Sequence, residues 1–202
     1  MAMHAAAAPA HGHAQQGMGR ELAGMVLFIA SEIMLFGGLF AGYFYLRSQA
    51  ATWPPEGIEH EIEVPIAAVL SAILISSSIA AHIGMLGILS NNRMQFKIGI
   101  ALAIVLGSIF IGGQIYEWLT LMDEGLNAGS DAYGATFFII TGFHGSHVIA
   151  GLMMLAFVLL RATWNDFSPS RHRFAEAAVL YWHFVDVIWV FVFFSLYVSP
   201  HL

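Results

Sequence analysis

Residues 65–89 read PIAAVLSAILISSSIAAHIGMLGIL, a stretch without a single Asp, Glu, Lys or Arg. A helix needs about 20 predominantly apolar residues to cross the hydrocarbon core of a bilayer, and this stretch meets that length. The whole chain is 58% hydrophobic, and a water-soluble core of its size cannot hide so much apolar surface. The stretch therefore predicts a transmembrane helix.

Similar apolar stretches recur along the chain. The predicted spans are 22–46, 65–89, 97–122, 134–160 and 176–198. Only short loops separate them, and the tail of residues 1–19, rich in Ala, His and Gly, is expected to be disordered. We therefore predict an all-α fold. Residues 20–202 are expected to form a single membrane domain, an integral membrane bundle of five transmembrane helices.

The composition excludes several other classes of protein. Only 10% of the 202 residues are charged, whereas a soluble domain carries about 25%. A nucleic-acid binder is expected to be basic, but this chain has a net charge of −6. Cysteine is absent, which excludes a disulfide framework, a thiolate metal site and a thiol nucleophile.

The positive charges predict the orientation in the membrane. In a five-span topology the N-terminus, the second loop and the fourth loop share one side. Six of the seven Lys and Arg residues lie on that side: Arg20, Arg93, Lys97, Arg161, Arg171 and Arg173. Because cytoplasmic loops are enriched in Lys and Arg, we expect a cytoplasmic N-terminus and a C-terminus outside.

Glu32 is the first candidate for a functional residue, because an ionisable group inside a membrane is costly. It lies about 11 residues into the first span, roughly 16 Å deep. No cation lies close to it in sequence. Either another helix supplies a partner or the carboxyl is neutral. A hydrogen-bonded structural role and a role in proton handling or lipid contact both stay open.

Two further pairs of polar residues are each three apart, so the members of a pair share a helical face. His183 and Asp186 are expected to pair with one another, in a structural or a proton-relay role. His144 and His147 lack the HExxH pattern of a zinc hydrolase. We expect no metal site there but a cross-helix polar cluster in which His144 lies level with Glu32 and Asp186.

Glu117 is expected at the outer rim of the third span, at headgroup depth, as a solvated or hydrogen-bonded residue and not a catalytic one. Two other classes of membrane protein would use the same polar residues. A b-type cytochrome would ligate heme with His82, with His144 or His147, and with His183. A proton or solute transporter would use Glu32 and Asp186 as carriers.

Several ordered motifs together resemble subunit III of the heme-copper terminal oxidases. The resemblance covers about residues 20–198, nearly the whole chain after the tail. The motifs are SE at 31–32, WPP at 53–55, QIYEW at 114–118, YGATFF at 133–138, TGFHGSHV at 141–148 and YWHFVDVIW at 181–189. The last two are long and distinctive, so chance agreement is excluded in practice.

The resemblance implies an accessory subunit that binds no heme, copper or other metal itself. Heme and copper would be held by subunits I and II, with subunit I in direct contact. Longer members of the family have seven spans with a lipid-filled cleft, and this chain resembles a shorter form without the first two spans. The location implied is a bacterial inner (cytoplasmic) membrane, crossed several times, with phospholipid bound and no nucleic acid.

Residue roles follow from the resemblance position by position. Glu32 matches the family's buried glutamate, which is associated with lipid contact and with sustained proton uptake by subunit I. Four residues match polar core positions with structural or proton-linked roles: His144, His147, His183 and Asp186. Trp53 and Glu117 match motif positions at the outer rim. The motifs favour cytochrome c over quinol as the electron donor of the complex, with a quinol oxidase as the alternative.

Overall fold

The computed structural model describes residues 19–54 and 64–201, and within them the chain is all-α. Each of the five main helices is long and apolar enough to cross a membrane, with α5 continued by a π-helical segment and a 3₁₀ turn. Their bounds are α1 Arg20–Gln49, α2 Val64–Leu89, α3 Arg93–Asp123, α4 Ala132–Thr163, α5 Arg173–Val192, the π-helical segment Phe193–Val198 and the 3₁₀ turn Ser199–His201. The predicted five-helix membrane fold is confirmed. The predicted tail lies, except for its last residue, outside the described residues.

Helices α1, α3 and α4 begin earlier and end later than their predicted apolar stretches, and polar side chains cap the starts of α3 and α4. Asn92 precedes α3, and its side-chain oxygen accepts a hydrogen bond from the Gln95 amide at 3.1 Å. Asp131 does the same for α4 through the Gly134 amide at 2.8 Å. Such caps satisfy amides that have no partner within the helix. Hydropathy alone does not predict the additional helical turns at the starts of α3 and α4.

Helix α5 is at the centre of the bundle. It packs against α1, α2 and α4, while α2 with α3 and α3 with α4 complete the ring. The Trp182 side chain of α5 is fully buried. A Cβ atom built on Gly107 or Gly151 would lie 2.7 Å or 2.6 Å from the Trp182 ring. The two glycines therefore form the space that this indole fills.

Helix α1 lies at the edge and packs mainly on α5 and α4. Of its 30 residues only Phe36 and Tyr43 are buried. Its glycines at positions 37, 38 and 42 have no atom within 4 Å of an added Cβ. The rest of α1 is an apolar outer surface.

Arginine side chains lie at both ends of the bundle. At one end the start of α1 lies beside the α4–α5 loop, where Glu21, Arg161, Arg171 and Arg173 line a common pocket. At the other end Arg47 donates hydrogen bonds to the hydroxyl and the carbonyl of Ser199. Three arginines that were predicted to share one side of the membrane therefore lie together, and the side of the membrane that each end faces stays a prediction.

Candidate functional site

Glu32 of α1 contacts His147 of α4 across the helix interface. The Glu32 Oε2 atom lies 2.8 Å from the His147 Nε2 atom. The two side chains are 15% and 13% exposed. Another helix therefore supplies a partner for Glu32, as one of the two explanations from the sequence expected. The partner is His147, whereas the expected neighbour was His144.

The second ring nitrogen of His147 determines how many protons the pair holds. Nδ1 lies 2.7 Å from the Phe143 carbonyl oxygen. A carbonyl only accepts, so this partner assigns a proton to Nδ1. The short Nε2–Oε2 contact then needs a second proton, which sits on the imidazole or on the carboxyl. Both forms of the pair have no net charge, which lowers the cost of placing it in a membrane.

The surroundings hold both partners in place. The Ser31 hydroxyl donates to the Phe28 carbonyl at 2.7 Å and lies 3.3 Å from Glu32 Oε1. The Phe36 ring meets the His147 ring edge-on at 5.1 Å between centroids. Tyr181 of α5 donates to the His147 carbonyl oxygen at 3.2 Å. Three helices therefore fix the geometry of one carboxyl–imidazole contact.

His144 does not join this contact. It is fully buried between the rings of Phe110 and Trp189, with centroids 5.9 Å and 4.9 Å away. Neither ring nitrogen has a hydrogen-bond partner among the residues that the structure describes. The expectation that His144 would lie in a polar cluster with Glu32 and Asp186 is wrong, because α4 turns this histidine towards aromatic rings.

The expected pair of His183 and Asp186 is also not formed. The Nδ1 atom of His183 bonds the Ser78 hydroxyl of α2 at 2.8 Å. Asp186 is buried and lies next to Ser78, yet neither carboxyl oxygen completes a hydrogen bond within the described chain. The buried Ser78 hydroxyl of α2, and not Asp186, is therefore the hydrogen-bond partner of the His183 imidazole. Ser78 was missed, although the serine run at 76–78 inside an apolar span is a visible signal.

Glu117 is not a solvated rim residue. It is 7% exposed, and its Oε2 atom accepts hydrogen bonds from Gln114 Nε2 at 2.7 Å and from the Tyr197 hydroxyl at 2.8 Å. The π-helical segment after α5 brings Tyr197 to this position. Glu117 is therefore hydrogen-bonded inside the bundle near the C-terminal end of α3, an arrangement that counting from the end of a span does not reveal.

Trp53 packs at the same end. Its indole N–H donates to the Tyr43 hydroxyl at 3.2 Å, and Tyr43 donates to the Ser195 carbonyl at 2.7 Å. Its ring also meets Tyr133 edge-on at 5.4 Å between centroids. Trp53 thus attaches the loop after α1 to α1 and α4, and through Tyr43 to the segment after α5. Of the WPP motif the structure describes residues 53 and 54.

The arrangement of these side chains also bears on metal binding. Within residues 19–54 and 64–201, no group of three or more His, Cys, Asp or Glu side chains is placed to hold a metal ion. The histidines at 4, 11 and 13 of the tail fall outside that range.

Comparison with known proteins identifies the family. The model of the family described as cytochrome c oxidase subunit III matches residues 2–200. The cytochrome c oxidase subunit 3 of Corynebacterium diphtheriae is 40% identical over 177 residues, 86% of this chain and 85% of the relative. That of Thermostichus vulcanus is 38% identical over 187 residues, 92% of this chain and 90% of the relative.

These relatives are bacterial, and the five apolar helices fit a multi-pass protein of the inner membrane. The motifs that suggested the family from sequence, such as TGFHGSHV at 141–148, supply the Glu32 partner and the buried rings around it. The chain belongs to the cytochrome c oxidase subunit III family.

Proposed function

We propose that the chain is an accessory subunit of a proton-pumping heme-copper oxidase, supporting assembly, lipid binding and sustained proton uptake by subunit I. The complex would oxidise cytochrome c and reduce dioxygen to water with heme and copper held by subunits I and II. This chain would carry no catalytic centre of its own. The names of the relatives support cytochrome c as the donor, and a quinol oxidase is the alternative.

The observation that carries the proton-linked role is the contact between Glu32 and His147 at 2.8 Å. One proton lies between the carboxyl and the imidazole and can rest on either without a change in net charge. Such a pair exchanges protons without leaving a bare charge in the membrane. His147 is held by Phe143 and Tyr181, so the site keeps its geometry while the proton moves.

The position of the pair supports a role in lipid contact. Glu32 and His147 are each part-exposed, and the neighbouring Ile33 and Met34 are 54% and 79% exposed. The carboxyl therefore lies just behind an apolar surface. Phospholipid chains against α1 would shield the pair from water, so that its proton exchanges only through routes that the complex provides. Residues 20–202 act in this proposal as one membrane domain.

The other polar residues have structural roles in this proposal. His183 is bonded to Ser78, Glu117 is bonded to Tyr197 and Gln114, and Trp53 anchors the outer loop. His144 fills space between aromatic rings. None of these is proposed as a ligand of heme or metal.

The first test is purification of the complex through a tag on this chain in a mild detergent. Mass spectrometry and a reduced-minus-oxidised spectrum are taken on the same sample. The proposal predicts that subunits I and II co-purify with heme bands that vanish from the tagged chain once it is separated. Heme that stays with the separated chain would instead establish a b-type cytochrome. A colourless chain without partners, active in proton flux in liposomes, would establish a transporter.

The donor is tested on the same preparation. Oxygen consumption is measured with reduced cytochrome c and, in parallel, with a reduced quinol. Turnover with cytochrome c alone supports the cytochrome c oxidase assignment. Turnover with quinol alone transfers the subunit to a quinol oxidase.

A further inference from the structure

His82 is an exception among the ionisable side chains inside the spans. The acidic and histidine residues at least six residues from a helix end are Glu32, His82, Glu117, His144, His147, His183 and Asp186. All except His82 are buried or half-buried. Polar groups within a membrane face the bundle interior or pair with one another. An outward-facing histidine therefore requires an explanation.

His82 belongs to a continuous surface formed by α2 and α5. Its ring lies 6.0 Å from that of His183, centroid to centroid, at an angle of 55°. By the 3.6-residue period, Ile75, Ile79 and Leu86 share the face of His82, and Val187, Val190 and Phe194 share the face of His183. These six apolar side chains are between 45% and 56% exposed. The two histidines thus lie side by side within an apolar strip, which we call the His82–His183 face.

The imidazoles of this face have hydrogen-bonding capacity that the described chain does not use. Ser78 occupies the Nδ1 atom of His183. No hydrogen bond within residues 19–54 and 64–201 involves the His183 Nε2 atom or either ring nitrogen of His82. Just behind them the Asp186 carboxyl is buried without a completed hydrogen bond in the same range. Hydrogen-bonding atoms without a partner in the described chain are therefore concentrated at one place on the surface of the bundle.

The depth of this face excludes an easy escape to water. His183 lies ten residues from the start of α5 and His82 lies seven residues from the end of α2, about 15 Å and 10 Å along the two helix axes, so neither imidazole is at a helix end. Lipid tails offer no donor or acceptor, so a polar group against them has the full cost of an unmade hydrogen bond. Only a polypeptide supplies polar side chains at that depth.

We infer that the His82–His183 face is a docking surface for a transmembrane helix of another oxidase subunit, which presents a carboxyl or hydroxyl group at the depth of the two imidazoles. The apolar strip would pack against the flanks of that helix, and the polar contact would fix its height. This inference rests on the proposed function, because it requires that the chain works inside a multisubunit complex.

Photo-crosslinking in the intact complex tests the face directly. A benzophenone amino acid replaces Ile79 or Val187, which flank the two histidines. Matched controls carry it at Val105 or Ile109 of α3, which are 55% and 49% exposed. Irradiation of native membranes should join the first two positions to another subunit, identified by mass spectrometry, while the α3 positions label lipid.

Three results would overturn the inference. They are labelling of lipid alone at Ile79 and Val187, crosslinks from α3 to the partner instead, and crosslinks to a second copy of this chain. The proposed function fails separately, if no heme-bearing subunit co-purifies with the unsubstituted chain. The two failures are therefore distinguishable in one set of preparations.

A substitution provides an independent readout. His82→Ala should increase the fraction of this chain that separates from the complex in detergent by roughly threefold to tenfold, the effect of one hydrogen bond inside a membrane. Val105→Ala should leave that fraction unchanged. Equal retention in the two variants, with normal amounts of each in the membrane, would contradict a polar contact at His82.

Discussion

Helices α1 and α5 are both membrane spans, but they are held in the bundle by different forces. Of the residues in the apolar segment of α5, 61% are buried, whereas only 6% of those in the apolar segment of α1 are buried. Interior packing positions α5, and a substitution there disturbs three neighbouring helices. For α1 a small number of specific contacts carries the attachment. The two helices should therefore respond to opposite kinds of substitution.

The contacts of α1 are spaced along its length. Glu32 binds His147 near the middle of α1, and Tyr43 and Arg47 bind Ser195 and Ser199 near its C-terminal end. Between these contacts α1 presents apolar side chains and open glycines to the outside. The position of a helix at the edge of a bundle can therefore be fixed by a few hydrogen bonds, because lipid replaces protein on its other faces without loss of apolar contact.

The largest expected effect is at the glycines that receive Trp182. In Gly151→Leu, the new side chain would collide with a fully buried indole, whose ring lies 2.6 Å from the position of a Cβ atom. Overpacking of this kind costs about 1–3 kcal/mol or more of stability. The thermal inactivation midpoint of the purified oxidase should fall sharply, or the subunit should fail to assemble.

Gly38→Leu is the matched control on α1, since an added Cβ there meets no atom within 4 Å. Its inactivation midpoint should stay close to that of the unsubstituted protein. Equal losses in the two variants would show that burial does not distinguish α5 from α1, and the comparison would fail.

An intermediate effect is expected at the polar contact of α1. In a double-mutant cycle of Glu32→Ala and His147→Ala, the two losses should not add, and the coupling should be about 1–2 kcal/mol. The measurement is the free energy of subunit dissociation from the complex in detergent. The control cycle combines Glu32→Ala with His144→Ala, which does not touch Glu32. Additivity in the first cycle, or coupling in the second, would contradict the assigned partner.

The smallest effect is expected at Asp186. Asp186→Asn keeps the size of the side chain and removes a carboxyl that completes no hydrogen bond in the described chain, so stability should change by less than about 1 kcal/mol. Ser78→Ala, which removes the partner of His183, should cost more, about 1 kcal/mol or above. The thermal inactivation midpoints of the two variants decide the order. The reverse order would restore the His183–Asp186 pair that the helical spacing predicted.

The fold was predictable because length and hydropathy are sufficient for a membrane span. The five predicted spans fall inside the observed helices, and the additional turns at Asn92 and Asp131 come from caps that hydropathy does not record. The partner of Glu32 was not predictable, because His144 and His147 differ by a small rotation of α4 about its axis, and only packing fixes that rotation.

Spacing along one helix was the weakest guide to the site. His183 and Asp186 share a face, yet the Ser78 hydroxyl of another helix bonds the imidazole. Glu117 lies near the end of α3, yet Tyr197 of the segment after α5 covers it. In both cases the deciding atom belongs to a residue distant in sequence. A single sequence indicates which residues are polar and how deep they lie, and it does not choose among partners on other helices.

The most direct test of the central claim is the active lifetime of the oxidase with Glu32→Ala. Turnover is followed to inactivation in vesicles, together with the rate of proton uptake, and Leu46→Ala on the same helix is the control. The account predicts an assembled complex that takes up protons more slowly or inactivates several-fold sooner. Met34 belongs to the apolar surface in front of the pair, so Met34→Ala should show a smaller change of the same kind, whereas Leu46→Ala, at the far end of α1 and 38% exposed, should leave both quantities unchanged. Unaltered turnover, pumping and lifetime in Glu32→Ala would contradict the role of the Glu32–His147 contact in sustaining proton delivery.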